Sequence, residues 1–246
     1  MDHNKFVSRL FNRAADQYDD HCRLQIRTGN QLISMIKSRR PQADHIMDLG
    51  CGTGIVTQQL ASEYPCKTLH AIDHATALLD KARTRLPCAQ VYPADFDHLF
   101  DIPASFDILF SNLALHWSNS LATTLSQLRR LLNNQGYLAF SIPLSGSLTE
   151  LQNQYAVNDF SPLPAIMDTL QQCGYHLTDF RADNIVYPFS STIEALRSIK
   201  QTGANYAFKR RHAALRGKSY LNSTDLRALT YRIGCFVAAK ELPACK

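Results

Sequence analysis

Asp48-Leu-Gly-Cys-Gly-Thr-Gly54 overlaps the end of the apolar stretch His45-Ile-Met-Asp-Leu49 and leads into a helix-like segment. With no Cβ, Gly50, Gly52 and Gly54 can take backbone angles that other residues avoid and let the chain pass directly beneath a ligand. That geometry suits a small cofactor lying on the carboxyl end of a strand. Two later stations extend it. Thr68-Leu-His-Ala-Ile-Asp73 reads as a second strand, ending in an acid about 20 residues after the loop, where a ribose diol would need a bidentate acceptor. Val91-Tyr-Pro-Ala-Asp95-Phe96 reads as the end of a third strand; taken alone, its acid is equally a turn residue or a helix cap.

A dinucleotide fingerprint uses its glycines to bring N–H groups to a pyrophosphate. The acid-first Asp-Leu-Gly-Cys-Gly-Thr-Gly instead resembles motif I of the class I S-adenosylmethionine-dependent methyltransferases. The resemblance implies an α/β, Rossmann-like fold: a mostly parallel seven-stranded sheet, helices on both faces and one antiparallel edge strand. It also implies a cofactor site for S-adenosyl-L-methionine, with S-adenosyl-L-homocysteine as product. Asp48, Gly50, Gly52 and Gly54 would run beneath the amino-acid end and Asp73 would hold the ribose hydroxyls. Asp95 would accept from the adenine amino group while Phe96 covers the ring. Asn112, after the fourth strand, would face the cofactor or simply stabilise a turn.

The 246 residues are long enough for one large α/β domain or two small ones, and the pattern reads as a single methyltransferase domain over 1–246. Apolar content of 45% and charged content of 19% are ordinary for a soluble globular protein. No run of 18 or more apolar residues could cross a bilayer, and Met1-Asp-His-Asn-Lys5 opens no signal-peptide core, so a cytoplasmic location without a membrane partner is expected. The seven cysteines contain no C-x-x-C and read as reduced thiols. No metal is expected, because His70 and His74 straddle a strand end rather than sharing a helix face.

Short apolar runs at 68–72, 88–92, 106–111 and 136–142 alternate with helix-length segments, the sequence form of a mostly parallel sheet covered on both faces. Arg23 to Arg39 reads as an amphipathic helix stopped by Pro41, and Thr76 to Leu86 as the helix after the second strand. Ser120 to Leu132 repeats the form, and Asn133-Asn-Gln-Gly136 is predicted to end it as a turn. Tyr175 to Tyr187 and Leu229 to Ala239 read as long closing strands. An amino-terminal helical lid (1–40) and helical insertions near the substrate side (145–173 and 190–228) complete the organisation. From Ala195 to Thr224 there are seven lysines and arginines, at 197, 200, 209, 210, 211, 216 and 218, and no Asp or Glu. A solvated helical face normally mixes signs.

Phe11-Asn-Arg-Ala-Ala-Asp-Gln-Tyr-Asp19, Ser111-Asn-Leu-Ala-Leu-His-Trp117, Gly146-Ser-Leu-Thr-Glu-Leu151 and Ile199-Lys-Gln-Thr-Gly-Ala204 together resemble the malonyl-[acyl-carrier protein] O-methyltransferases of biotin synthesis. The likeness covers nearly the whole chain. It implies methylation of the free carboxylate of a malonyl thioester, which hides the charge so that fatty-acid synthase accepts the product as a primer for pimeloyl synthesis. Family members usually carry Gln where His116 stands, so a change at the substrate mouth is implied. Tyr18 would orient the malonyl group or close over the cofactor, its alternative being a core aromatic, and Trp117 would form a pocket wall. The resemblance gives the basic stretch a partner: Lys200, Lys209, Arg210, Arg211, Arg216 and Lys218 would dock an acidic acyl-carrier protein. Nucleic acid is the less favoured partner for that stretch. Rival readings are a methyltransferase for another small carboxylic acid or quinone precursor, and a non-catalytic nucleic-acid-binding module on the same fold.

Overall fold

The computed structural model describes residues 3–99, 102, 105–152, 157–202 and 226–240. Three helices lead: α1 (His3–Ala14), α2 (Tyr18–His21) and α3 (Arg23–Arg39). An alternating series follows: β1 (His45–Leu49), α4 (Ile55–Glu63), β2 (Thr68–Asp73), α5 (Thr76–Arg85), β3 (Gln90–Pro93), β4 (Phe106–Asn112), α6 (Leu121–Leu131) and β5 (Leu132–Pro143). The described chain closes with α7 (Leu163–Gln172), β6 (Tyr175–Pro188), α8 (Thr192–Gln201) and β7 (Ala228–Lys240).

The seven strands form one sheet in the order β3-β2-β1-β4-β5-β7-β6. Pairing is parallel from β3 through β5, and β7 runs antiparallel to both β5 and β6. The antiparallel member therefore lies one place in from the edge, with β6 outermost. Alternate residues of the central strands face opposite sides of the sheet. Met47, Leu49 and Leu109 join Leu125 and Leu128 of α6 in one core, while Ile46, Ile108 and Phe110 join Leu32 and Ile36 of α3 in the other. With both faces covered, β4 is apolar along most of its length, as parallel strands require.

Gly29 shows how closely α3 is drawn in. A Cβ there would stand 2.4 Å from Cγ1 of Val56 on α4, so the two helices touch backbone to side chain.

Strand order reverses between β1 and β4, the place where open α/β sheets form a crevice outside the carboxyl ends of their strands. The β6–β7 ribbon walls it on the far side. Its pairing continues from Ile233 to Ala228, beyond the point where Pro143 of β5 meets Ile233, so Tyr187 and Tyr231 overhang the sheet's carboxyl edge with their rings 6.1 Å apart.

The predicted turn at Asn133–Gly136 is corrected. Asn133 accepts from the Gln135 N–H at 3.0 Å, which is turn chemistry, but the segment lies inside β5. There Phe106 pairs with Leu132 and Ile108 with Tyr137, so the extra residues bulge out of the ladder. The Asn133 amide holds the bulge by donating to Asp107 at 2.6 Å.

Candidate active site

Two cavities adjoin at the carboxyl edge. The inner one, about 80 Å³, is bounded by Gly50, Gly52, Asp73, Asp95, Phe96 and Asn112 and roofed by Asn4, Val7, Ser8 and Phe11 of α1. The outer one is a cleft of about 790 Å³ between the α2–α3 junction, the loop after β4, the overhanging ribbon and α8. Phe11, Tyr18, Leu113 and Trp117 line both and form the neck between them.

The glycine loop makes the floor of the inner cavity. Gly50 sits at φ 78°, and a Cβ on it would fall 2.3 Å from Cβ of Ala114, in the loop after β4. Gly52, at φ 57°, has Tyr18 above it, the hydroxyl 3.6 Å and the ring 3.8 Å from where a Cβ would stand. The Gly52 N–H donates to Oδ2 of Asp73 at 2.9 Å and the Ala75 N–H to Oδ1 at 2.8 Å, so the loop itself aims the Asp73 carboxylate. Burial pushes that carboxyl upward, against the lowering effect of those two donors. Asp95 is the opposite case. Burial would raise it, but bonds from the Asp97 N–H, Asn4 and His98 prevail and hold it below the usual carboxylate range. Its Oδ2 accepts from Asn4 Nδ2 at 2.7 Å, which ties α1 to the end of β3.

Not every predicted contact reaches the cavity. Asp48 is 2% exposed, turned into the core and bonded at 2.6 Å by the Thr57 hydroxyl, so it braces the start of α4. Gly54 opens α4 against Ala82 and Leu86. Asn112 lines the cavity, but its amide is committed within the protein: Oδ1 accepts from Thr28 and Ser141 at 2.9 and 2.8 Å, and Nδ2 donates to the Gln25 carbonyl at 2.9 Å.

Burial pushes the Asp48 carboxyl up to about 7, opposed by the Thr57 hydroxyl and reinforced by Asp73. A carboxyl raised in the folded state gives its full stability contribution below its unfolded value near ~3.9 and loses it as pH rises through the folded value. Asp48→Asn cannot ionise and keeps an acceptor for Thr57. It is expected to melt at a higher temperature than the parent at pH 8, by a margin that is smaller at pH 5, where part of the contribution has returned. Thermal denaturation at the two pH values checks this, and a pH-independent difference would contradict it.

His116 sits in the 3-10 turn Leu115–Trp117, its ring 4.8 Å from that of Trp117 and 6.0 Å from that of Phe160. Burial pushes it down to about 3, so it is neutral across the physiological range. Arg23 lies over the Tyr187 ring at 5.6 Å, at the rim of the outer cleft.

The family described as "Methyltransferase domain" matches residues 47–140, which carry the glycine loop, Asp73, Asp95 and the loop after β4. The chain is 36% identical over 241 residues to malonyl-[acyl-carrier protein] O-methyltransferase 2 of Coxiella burnetii, covering 96% of each. It is 33% identical to the malonyl-[acyl-carrier protein] O-methyltransferase of Yersinia pestis, covering 87% of this chain and 80% of the relative. The chain belongs to the malonyl-[acyl-carrier protein] O-methyltransferase family. The same fold recurs in a Haemonchus contortus N-methyltransferase solved with S-adenosylhomocysteine, at a TM-score of 0.67 and 20% identity, over 98% of this chain and 61% of that one.

In this family member Tyr18 is held by residues that the sequence reading did not single out. Asp19 accepts from the Thr53 hydroxyl at 2.6 Å and from Arg85 at 2.7 Å, and Arg85 also donates to the Thr53 carbonyl at 2.5 Å. Burial would raise Asp19, yet the Thr53 and Arg85 bonds outweigh it and keep the carboxyl low. The charged clamp fixes α2 to the glycine loop. Burial, then the Asp73 charge, push the Tyr18 phenol well above its ordinary value, so its hydroxyl stays protonated. Gln25 on α3 was also missed, because only the fold brings it to the outer cleft. Of the predicted docking residues, Lys200 is exposed on α8, while Lys209, Arg210, Arg211, Arg216 and Lys218 lie outside the described residues.

Proposed function

We propose that this chain transfers a methyl group from S-adenosylmethionine to the free carboxylate of a malonyl thioester carried by acyl-carrier protein, giving the methyl ester that primes pimeloyl synthesis for biotin. The observation that carries the reading is the shared neck: Phe11, Tyr18, Leu113 and Trp117 join a glycine-floored cradle to an open cleft. The cradle fits the cofactor. Gly52 leaves room where a side chain would intrude, and Asp73 and Asp95, at or just beyond the ends of successive parallel strands, both line the cavity and are assigned to the ribose and the adenine. Phe96, which lines the same cavity, is assigned to cover the adenine.

S-adenosylmethionine, when bound, supplies a methyl group on a positively charged sulfur. The protein has little proton chemistry to perform. A carboxyl group with a pKa near ~4 is ionised at neutral pH, so its oxygen needs no general base. Alignment then supplies most of the rate. Tyr18 keeps its proton, with its hydroxyl over Gly52, and Phe11 and Trp117, with rings 5.8 Å apart and edge to face, narrow the neck against water.

The inner cavity is well below the roughly 300–1,000 Å³ of ligand pockets, so admitting the cofactor would call for the lid of 1–40, to which α1 belongs, to open. The described parts of the segments 145–173 and 190–228 line the outer cleft and serve the substrate side, residues 153–156 and 203–225 lying outside the described residues, and Arg197 and Lys200 of α8 belong to the basic docking surface for the acidic carrier. Among the described residues no helix is long and apolar enough to cross a membrane. A cytoplasmic location accords with the reaction proposed.

Tyr18→Phe removes only the hydroxyl. Turnover is expected to fall about tenfold with the melting temperature nearly unchanged. Normal turnover with a markedly lower melting temperature would make Tyr18 a packing residue. The reading as a whole is tested by offering labelled S-adenosylmethionine with malonyl-carrier protein, malonyl-coenzyme A, acetyl-carrier protein and tRNA in parallel. Label is expected in the malonyl thioesters alone. Transfer to tRNA, or to none of the four, would overturn it.

A further inference from the structure

Two buried polar atoms of the outer cleft have no hydrogen-bond partner among the described residues: Nδ1 of His116 and Oε1 of Gln25. They come from separate elements, the turn after β4 and the first part of α3, yet both residues line the same cleft. Each is fixed in place. The His116 ring packs against Trp117 and Phe160, and the main chain from which the Gln25 side chain springs is held by Asn112, which donates to the Gln25 backbone carbonyl. Folded proteins leave few buried polar groups unpaired, and those that remain are costly, so two in one cleft point to a ligand that completes them.

The chemistry of the proposed substrate decides what these atoms do. An ionised carboxylate and a thioester carbonyl offer only acceptors, so the protein must donate. Neutral His116 can do so as its Nδ1–H tautomer. The Gln25 amide can do so when turned to bring its NH2 to the buried side, since either orientation of an amide fills the same space. Neutral donors suit this reaction. They orient the carboxylate while leaving its negative charge on the attacking oxygen, whereas a guanidinium clamped on it would blunt the nucleophile. Among the described residues the arginines of the cleft are Arg23 and Arg197, and both are exposed.

We infer that His116 and Gln25 form an acyl-positioning pair that donates to the carboxylate and thioester carbonyl oxygens of the malonyl unit and selects short dicarboxylic half-thioesters over monocarboxylic ones. This rests on the function proposed above. The pair moves no proton: a carbon–oxygen bond forms to the methyl group, the carbon–sulfur bond breaks, and its electron pair stays on sulfur.

His116→Phe keeps an aromatic ring between Trp117 and Phe160 without its nitrogens, Gln25→Met keeps length without the amide, and His116→Gln restores a neutral donor. With malonyl-carrier protein and malonyl-coenzyme A, each of the first two is expected to raise KM about tenfold, and the third to stay within about threefold of the parent. Calorimetry should show S-adenosylmethionine affinity unchanged. The melting temperature of the ligand-free protein should hold or rise, because an unpaired buried polar atom has been removed; a purely structural role would lower it. The parent and His116→Gln should show the same flat kcat/KM between pH 6 and 8. Parent KM values in both His116→Phe and Gln25→Met would overturn the inference while leaving the proposed function standing, as would an equal loss of cofactor affinity. A parent protein that methylates no malonyl thioester would overturn both.

Discussion

Asp73→Ala is expected to weaken S-adenosylmethionine binding by at least tenfold. The Asp73 carboxylate lines the inner cavity and is aimed by the N–H groups of Gly52 and Ala75, which leave each oxygen a lone pair for a ribose hydroxyl. Hydrogen bonds to a charged acceptor contribute about 1.5–3 kcal/mol each, so even one lost bond accounts for a tenfold change. Asp73→Asn, which keeps one acceptor for the loop, should lie between the two. Calorimetric titration of folded protein checks the series, and unchanged affinity in Asp73→Ala would remove this residue from the site.

Gly50→Ala should be the most destabilising single methyl in the loop. At φ 78° an L side chain is strained by about 1–2 kcal/mol, and the new Cβ would stand 2.3 Å from that of Ala114. Overpacking of this kind adds about 1–3 kcal/mol. Because the collision joins the loop after β1 to the loop after β4, relief of the clash must widen the crevice itself. A lower melting temperature and weaker cofactor binding are therefore expected together. Gly52→Ala offers the contrast, with a similar positive φ but its nearest neighbour, the Tyr18 hydroxyl, at 3.6 Å, so its loss of binding should exceed its loss of stability. Differential scanning calorimetry with and without S-adenosylmethionine separates the two; equal melting temperatures for Gly50→Ala and the parent would contradict the packing described.

Features dictated by neighbours in sequence were legible before the fold was seen. The apolar stripe of α3 and the stop at Pro41 mark that helix from Arg23 to Arg39, its observed span. The glycines announce the loop because positive φ is written into residue type. Features dictated by contacts across the chain were not. Asp19 meets Thr53 and Arg85, respectively 34 and 66 positions away, and nothing local distinguishes it from a solvated acid. Asp48 stands in the motif as though it touched a ligand, but its place in a fully covered strand turns it into the core. Asn133–Gly136 carries real turn chemistry, and only the pairing of the flanking Leu132 and Tyr137 with Phe106 and Ile108 turns it into a bulge. The entry of β7 between β5 and β6 has no local sign at all, although it builds the overhang that walls the substrate cleft.

The central claim is that the methyl group ends on the malonyl carboxylate. Intact-mass analysis of malonyl-carrier protein after incubation with the enzyme and S-adenosylmethionine tests it most directly. One added methyl group that mild alkali removes, absent from acetyl-carrier protein treated identically, is the expected result. An unchanged mass, or a methyl group that survives alkali, would contradict it.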